Sequence, residues 1–161
     1  MALPVSEQIL QAVRTRLLLI DEGDGYEVTV SGVIRSTRIA GHIPEDWQLT
    51  VSLVSITESE ADYRPGNPPA IAWNMEIVIM GELRPSESDT TPIDTYRSTF
   101  QADIVKAITS TGNDWHNWGN LAIDTTYGAA ETIETESGSA IGVPLTILFR
   151  TDENDPYTAR G

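Results

Sequence analysis

The 161-residue sequence predicts an α+β domain: a mainly antiparallel sheet of about five strands with two helices packed on one face, in the order α-β-β-β-α-β-β. Three observations lead there. Runs with apolar residues at every second position cluster in the first half and at the C-terminal end. Only two segments carry apolar residues at three-to-four spacing. Strands and helices do not alternate as parallel βαβ units require.

The first helix spans Leu3 to Ile20, where Ile9, Leu10, Val13, Leu17 and Ile20 form a stripe. Pro4 suits its first turn, with Glu7 near the start and Arg14 and Arg16 toward the end matching the helix dipole. Asp21-Glu22-Gly23-Asp24-Gly25 then turns the chain. Tyr26, Val28 and Val30 begin a strand that continues to Ile34, and Arg35 to Pro44 is a polar connection. Trp47, Leu49, Val51 and Leu53 form the apolar face of a second strand. Glu58 to Pro69 is a long loop, dense in turn residues. Ile71, Trp73, Met75, Ile77 and Ile79 give the third strand, and Leu83 to Thr90 a second irregular link.

Thr91-Pro92-Ile93-Asp94 offers a cap and a first-turn proline for the second helix, whose buried face is Tyr96, Phe100, Ile104, Ala107 and Ile108. A strand through Leu121 to Tyr127 leads into a segment bearing Glu131, Glu134 and Glu136. The last strand places Val143, Leu145, Ile147 and Phe149 on one face, with Pro144 at a strand start or an edge. After Arg150 the apolar pattern stops. Residues 1–150 thus form a single domain and 151–161 a polar C-terminal arm, which frays or grips another chain.

Formal net charge is −14, with Lys106 the only lysine. No basic stripe is present to grip nucleic-acid phosphates, and no apolar run reaches the ~18 residues of a membrane span. No cysteine is present, which excludes disulfides and thiolate chemistry and fits folding inside a cell. The N-terminus lacks the pattern of a secretory signal.

The residues point away from an enzyme, and away from any cofactor or metal. His42 and His116 are the only histidines, and neither has the spacing of a zinc site. The acidic runs at Asp21 to Gly25 and Asp152 to Asp155 lack the alternating ligands of a calcium loop. Asp103 and Lys106, three residues apart on the second helix, read as a surface pair. No phosphate loop, nucleophile elbow or dinucleotide fingerprint occurs. Trp47 and Trp73 read as core. Trp115 and Trp118 fit a core lid or an interface, and Tyr63 and Tyr157 are candidate interface anchors.

In order and pattern the whole chain resembles the tail-terminator, or tail-completion, proteins of long-tailed bacteriophages. The likeness runs from the amphipathic first helix and Gly25-Tyr26 through the long loop before the Trp73 strand. It continues through the Thr/Pro-capped helix and Trp118-Gly119, and ends at Phe149-Arg150-Thr151-Asp152-Glu153-Asn154-Asp155-Pro156-Tyr157. That ending is its most specific piece. The resemblance implies a virion structural protein, assembled in the host cytoplasm, that forms a hexameric ring at the head-proximal end of the tail. The ring stops polymerisation of the tail tube protein and meets neck or connector proteins, and genomic DNA passes through its lumen without specific binding. A head-to-tail ring needs two different matching surfaces. The loop and the arm are the candidates, through Tyr63, Arg64, Arg150, Asp152, Glu153, Asp155 and Tyr157, with Arg64 and Arg150 pairing with neighbouring carboxylates. Two alternatives stay open: another neck, connector or tube component, and a ligand-binding or catalytic pocket holding His116 beside Asp114 or Asp124.

Overall fold

The computed structural model describes residues 1–35, 48–83, 88–135 and 138–161. Helix α1 (Val5–Leu17) packs Val5, Ile9, Leu10, Val13 and Leu17 into the core. A helix of 13 residues is marginal alone, so this packing holds it, at roughly 1.5–3 kcal/mol per buried aliphatic side chain. Pro4 stands one position before the helix rather than in its first turn.

A seven-stranded sheet replaces the expected five. Strands β1 (Gly32–Arg35), β2 (Gln48–Glu58), β3 (Ala70–Leu83) and β6 (Gly138–Asp152) lie side by side in that order. Strands β4 (Asp124–Tyr127), β5 (Glu131–Thr135) and β7 (Asp155–Ala159) each pair with β6 along its far edge. All pairings are antiparallel except β1 with β2. The β3–β6 ladder is the spine, running unbroken from Ala70↔Asp152 to Leu83↔Ser139.

Met75, Ile77 and Ile79 of β3 and Val143, Leu145 and Ile147 of β6 are buried on the face that carries α1 and α2 (Ile93–Ile108). Phe100, Ile104, Ala107 and Ile108 of α2 are buried as expected, while Tyr96 is half-buried. The α2 cap differs by one residue: Pro92 precedes the helix without a side-chain cap bond, and the Thr91 N–H donates to Asp89 Oδ1.

Several elements correct the sequence reading. Tyr26 to Val30 joins no strand ladder, because its N–H groups find other acceptors: Asp103 takes those of Glu27 and Val28, and the Ile20 carbonyl takes that of Val30. Asp103 is therefore buried rather than half of a surface pair. Lys106 donates to the Gly25 carbonyl and sits 4.5 Å over the Tyr26 ring. The alternation of β2 puts Leu53 on the buried face beside Leu49 and Val51, yet Leu53 is exposed. A bulge between Leu53 and Ser55 shifts the ladder there. The 58–69 loop contains a 3-10 turn at Glu60–Asp62 and an antiparallel bridge from Arg64 to Ala70. Residues 112–117 form a further 3-10 segment, and the strand ending at Tyr127 is only four residues long.

The C-terminal arm is the largest correction. Strand β6 continues through the buried Thr151 to Asp152, and β7 folds back onto it as a hairpin. The Thr151 hydroxyl accepts a hydrogen bond from Trp73 Nε1 at 3.2 Å, so this segment is bonded into the sheet. Trp47, His42, Glu136 and most of the Arg35–Pro44 connection lie outside the described residues.

Candidate partner-binding surface

The loop and the C-terminal hairpin meet at one end of the sheet. Arg150 is 6% exposed; its Nε donates to the Asp62 carbonyl at 2.9 Å, and its guanidinium lies 3.8 Å from the Asp62 carboxylate. The Glu153 N–H donates to the Pro69 carbonyl at 3.0 Å. Asp152 pairs with Arg160, and Asp155 Oδ1 accepts the Tyr157 N–H within the hairpin. Gln8 of α1 donates to the Tyr157 carbonyl. In the loop, the Tyr63 N–H donates to the Glu60 carbonyl, and Arg64 exchanges main-chain bonds with Ala70.

Every expected interface residue thus has a bond within its own chain. Arg150 is engaged by Asp62 and is not held out for a neighbouring carboxylate. Tyr63 and Tyr157 each keep about half their surface, both at 48%, and Arg64 is exposed. The loop and the arm form one continuous surface, not the two separated ones that a head-to-tail ring needs.

A second surface lies along the outer edge of β2. Among the described residues, strand β1 covers this edge from Gln48 to Val51. Beyond it, Ser52 to Glu58 pairs with β3 on one side and with no other named strand among the described residues. Leu53, Val54 and Ile56 on this stretch are 41%, 58% and 39% exposed. Exposed apolar side chains gathered on one strand mark a surface that suits contact with another chain.

Apolar hollows flank the stretch on both sheet faces. On the helix-bearing face a cleft of about 160 Å³ is lined by Pro4, Ile56, Trp73, Phe149 and Pro156, among others. On the opposite face, Val54, Val78, Met80 and Pro144 line a groove of about 340 Å³. The signal for this edge is present in the sequence as Leu53-Val54-Ser55-Ile56, where two adjacent apolar residues break the alternation as a bulge does.

A cavity of about 310 Å³ is lined by Arg16, Thr111, Asp114, Asn117, Gly119 and Asn120, without His116 or Asp124. The His116 ring stands edge-on to Trp115, and its carbonyl accepts the Thr125 hydroxyl at 2.8 Å. Arg16 lies 3.9 Å over the buried Trp118 ring and donates to the Ile108 and Trp115 carbonyls. Burial pushes its guanidinium pKa down from the ordinary arginine value. These contacts make Arg16 a clamp on the C-terminal end of α2, where the helix dipole favours a cation. Among the described residues no group of three or more His, Asp or Glu side chains is arranged to hold a metal, and no helix is long and apolar enough to cross a membrane. No family model matches the chain, and no curated protein matches it.

Proposed function

We propose that this chain is a structural assembly protein: a tail terminator that forms a ring on a bacteriophage tail tube, halts tube growth and presents a surface to neck proteins. The observation that supports it is the run of exposed apolar side chains on β2, Leu53, Val54 and Ile56, which suits docking to another chain. The resemblance in element order and in the Phe149-to-Tyr157 ending supplies the particular role. The loop–hairpin end offers a second, polar surface with exposed Tyr63, Arg64 and Tyr157. The net charge of −14 suits a passage that must not hold DNA.

Electron microscopy of lysates from a phage lacking this gene tests the reading. Overlong, headless tubes beside DNA-filled heads are expected. Normal-length free tails, or no tails, would assign the protein to the neck or the tube instead.

A further inference from the structure

We infer that the hollow beside Arg16 is a binding site for a carboxylate, supplied by another molecule and gripped by the free edge of the Arg16 guanidinium. The inference goes beyond the ring reading and stands without it.

Arg16 is fixed before any ligand arrives. Its Nη1 donates to the Ile108 carbonyl at 2.8 Å and to the Trp115 carbonyl at 2.6 Å, which uses both hydrogens on that nitrogen. Its Cζ lies 3.9 Å from the centre of the Trp118 ring. Trp118 holds φ +52°, a left-handed backbone that a bulky side chain seldom adopts, so local strain is committed to this placement. Nε and Nη2 make no hydrogen bond within the chain among the described residues. These two nitrogens carry parallel N–H groups, the fork that takes both oxygens of a carboxylate. Arg35, Arg97, Arg150 and Arg160 each meet a carboxylate of their own chain, and among the described residues Arg16 does not. Half-burial without such a partner is what lowers its pKa.

The surroundings fit the same ligand. Arg16 lines the cavity of about 310 Å³ together with Thr111, Asp114, Asn117, Gly119 and Asn120. Asn117 Oδ1 accepts the Gly119 and Asn120 N–H groups, so the side chain keeps only its Nδ2 donor. At about 30 Å³ per water the space holds roughly ten waters, enough for a carboxylate and the few atoms that carry it. Asp114 is exposed on the cavity wall and sets the charge that can enter. Its repulsion acts about twice as strongly on a phosphate of nearly two charges as on a single carboxylate.

The test is a nuclear magnetic resonance titration with sodium acetate at constant ionic strength, following the Arg16 Nε–H and Gly119 amide signals. Acetate is expected to move both signals to saturation and sodium chloride to leave them in place. Phosphate is expected to bind at least about threefold more weakly than acetate. Two wall variants keep Arg16 and its bonds. Asp114→Asn is expected to tighten acetate about threefold. Asn120→Asp, at a left-handed position that aspartate tolerates, is expected to weaken it about threefold. Shifts that never saturate, or variants that leave acetate affinity unchanged, would overturn the inference, as would phosphate binding more tightly than acetate. A blocked tripeptide with one glutamate then fixes the source of the carboxylate. Tighter binding of the peptide than of acetate or succinate assigns it to an acidic segment of another chain; the reverse ranking assigns it to a free small acid.

Discussion

Asp103 Oδ2 accepts the backbone N–H of Val28 at 3.0 Å, and the same oxygen takes the Glu27 N–H at 2.9 Å. One buried carboxylate of α2 thus stands in for the strand partner that residues 26–30 lack. Removing it strands two backbone donors, one of them buried, and an unsatisfied buried donor costs about 1–3 kcal/mol. Asp103→Ala is expected to destabilise the fold by about 3 kcal/mol in urea unfolding, and Asp103→Asn, which keeps an acceptor, by about 1 kcal/mol. Equal losses would show that charge, not the acceptor, holds this segment.

Gly81 lies where β3 passes under α2. A Cβ built there collides with the Phe100 ring and comes within 3.0 Å of Leu49 Cδ2. Phe100 is fully buried and cannot swing aside. Gly81→Ala should cost about 1–3 kcal/mol through overpacking, read as a lower melting temperature. Combining it with Phe100→Leu should cost less than the sum of the single changes, because the smaller side chain makes room.

Arg150 ties the loop to the hairpin. Arg150→Ala leaves the Asp62 carbonyl without its donor and is expected to cost about 2–4 kcal/mol, with faster proteolysis between Ser59 and Pro69. Arg150→Lys restores the charge but not the fork, and should recover little. Unchanged proteolysis in Arg150→Ala would show that the Glu153–Pro69 bond suffices. Truncation after Arg150 removes Thr151 and β7 and should lower stability, so loss of assembly would not by itself identify a contact. Tyr63→Ser and Tyr157→Ser, at exposed positions, should leave the melting temperature unchanged and separate contact from folding.

Arg16 over Trp118 is the clamp between the helices and the 112–122 segment. Arg16→Met keeps the stem but loses two charged hydrogen bonds and the ring contact, an expected loss of about 2–3 kcal/mol. Tryptophan fluorescence should shift to the red as Trp118 gains water. An unchanged spectrum would show that the Trp118 Nε1 bond to Thr125 holds the ring alone.

The α+β class, the buried stripe of α1 and the alternation of β3 and β6 are legible in the sequence because each buries one face against the core, and burial imposes the period. Met75, Ile77, Leu145 and Ile147 follow that rule without exception. Leu53 does not: it keeps the register of Leu49 and Val51, opposite Ile77, but the pattern cannot show where the cover over that face ends. The arm reads as free because Thr151 to Tyr157 is polar, yet polar side chains do not prevent backbone pairing, and β6 extends to receive β7. The candidate interface residues are brought together in space by the β3–β6 register, which sets Ala70 opposite Asp152 and brings the 58–69 loop against the hairpin. Sequence alone therefore determined which faces are apolar. Tertiary structure decided that the 58–69 loop meets the hairpin and which charges are already paired, since both depend on pairing between residues far apart in the chain.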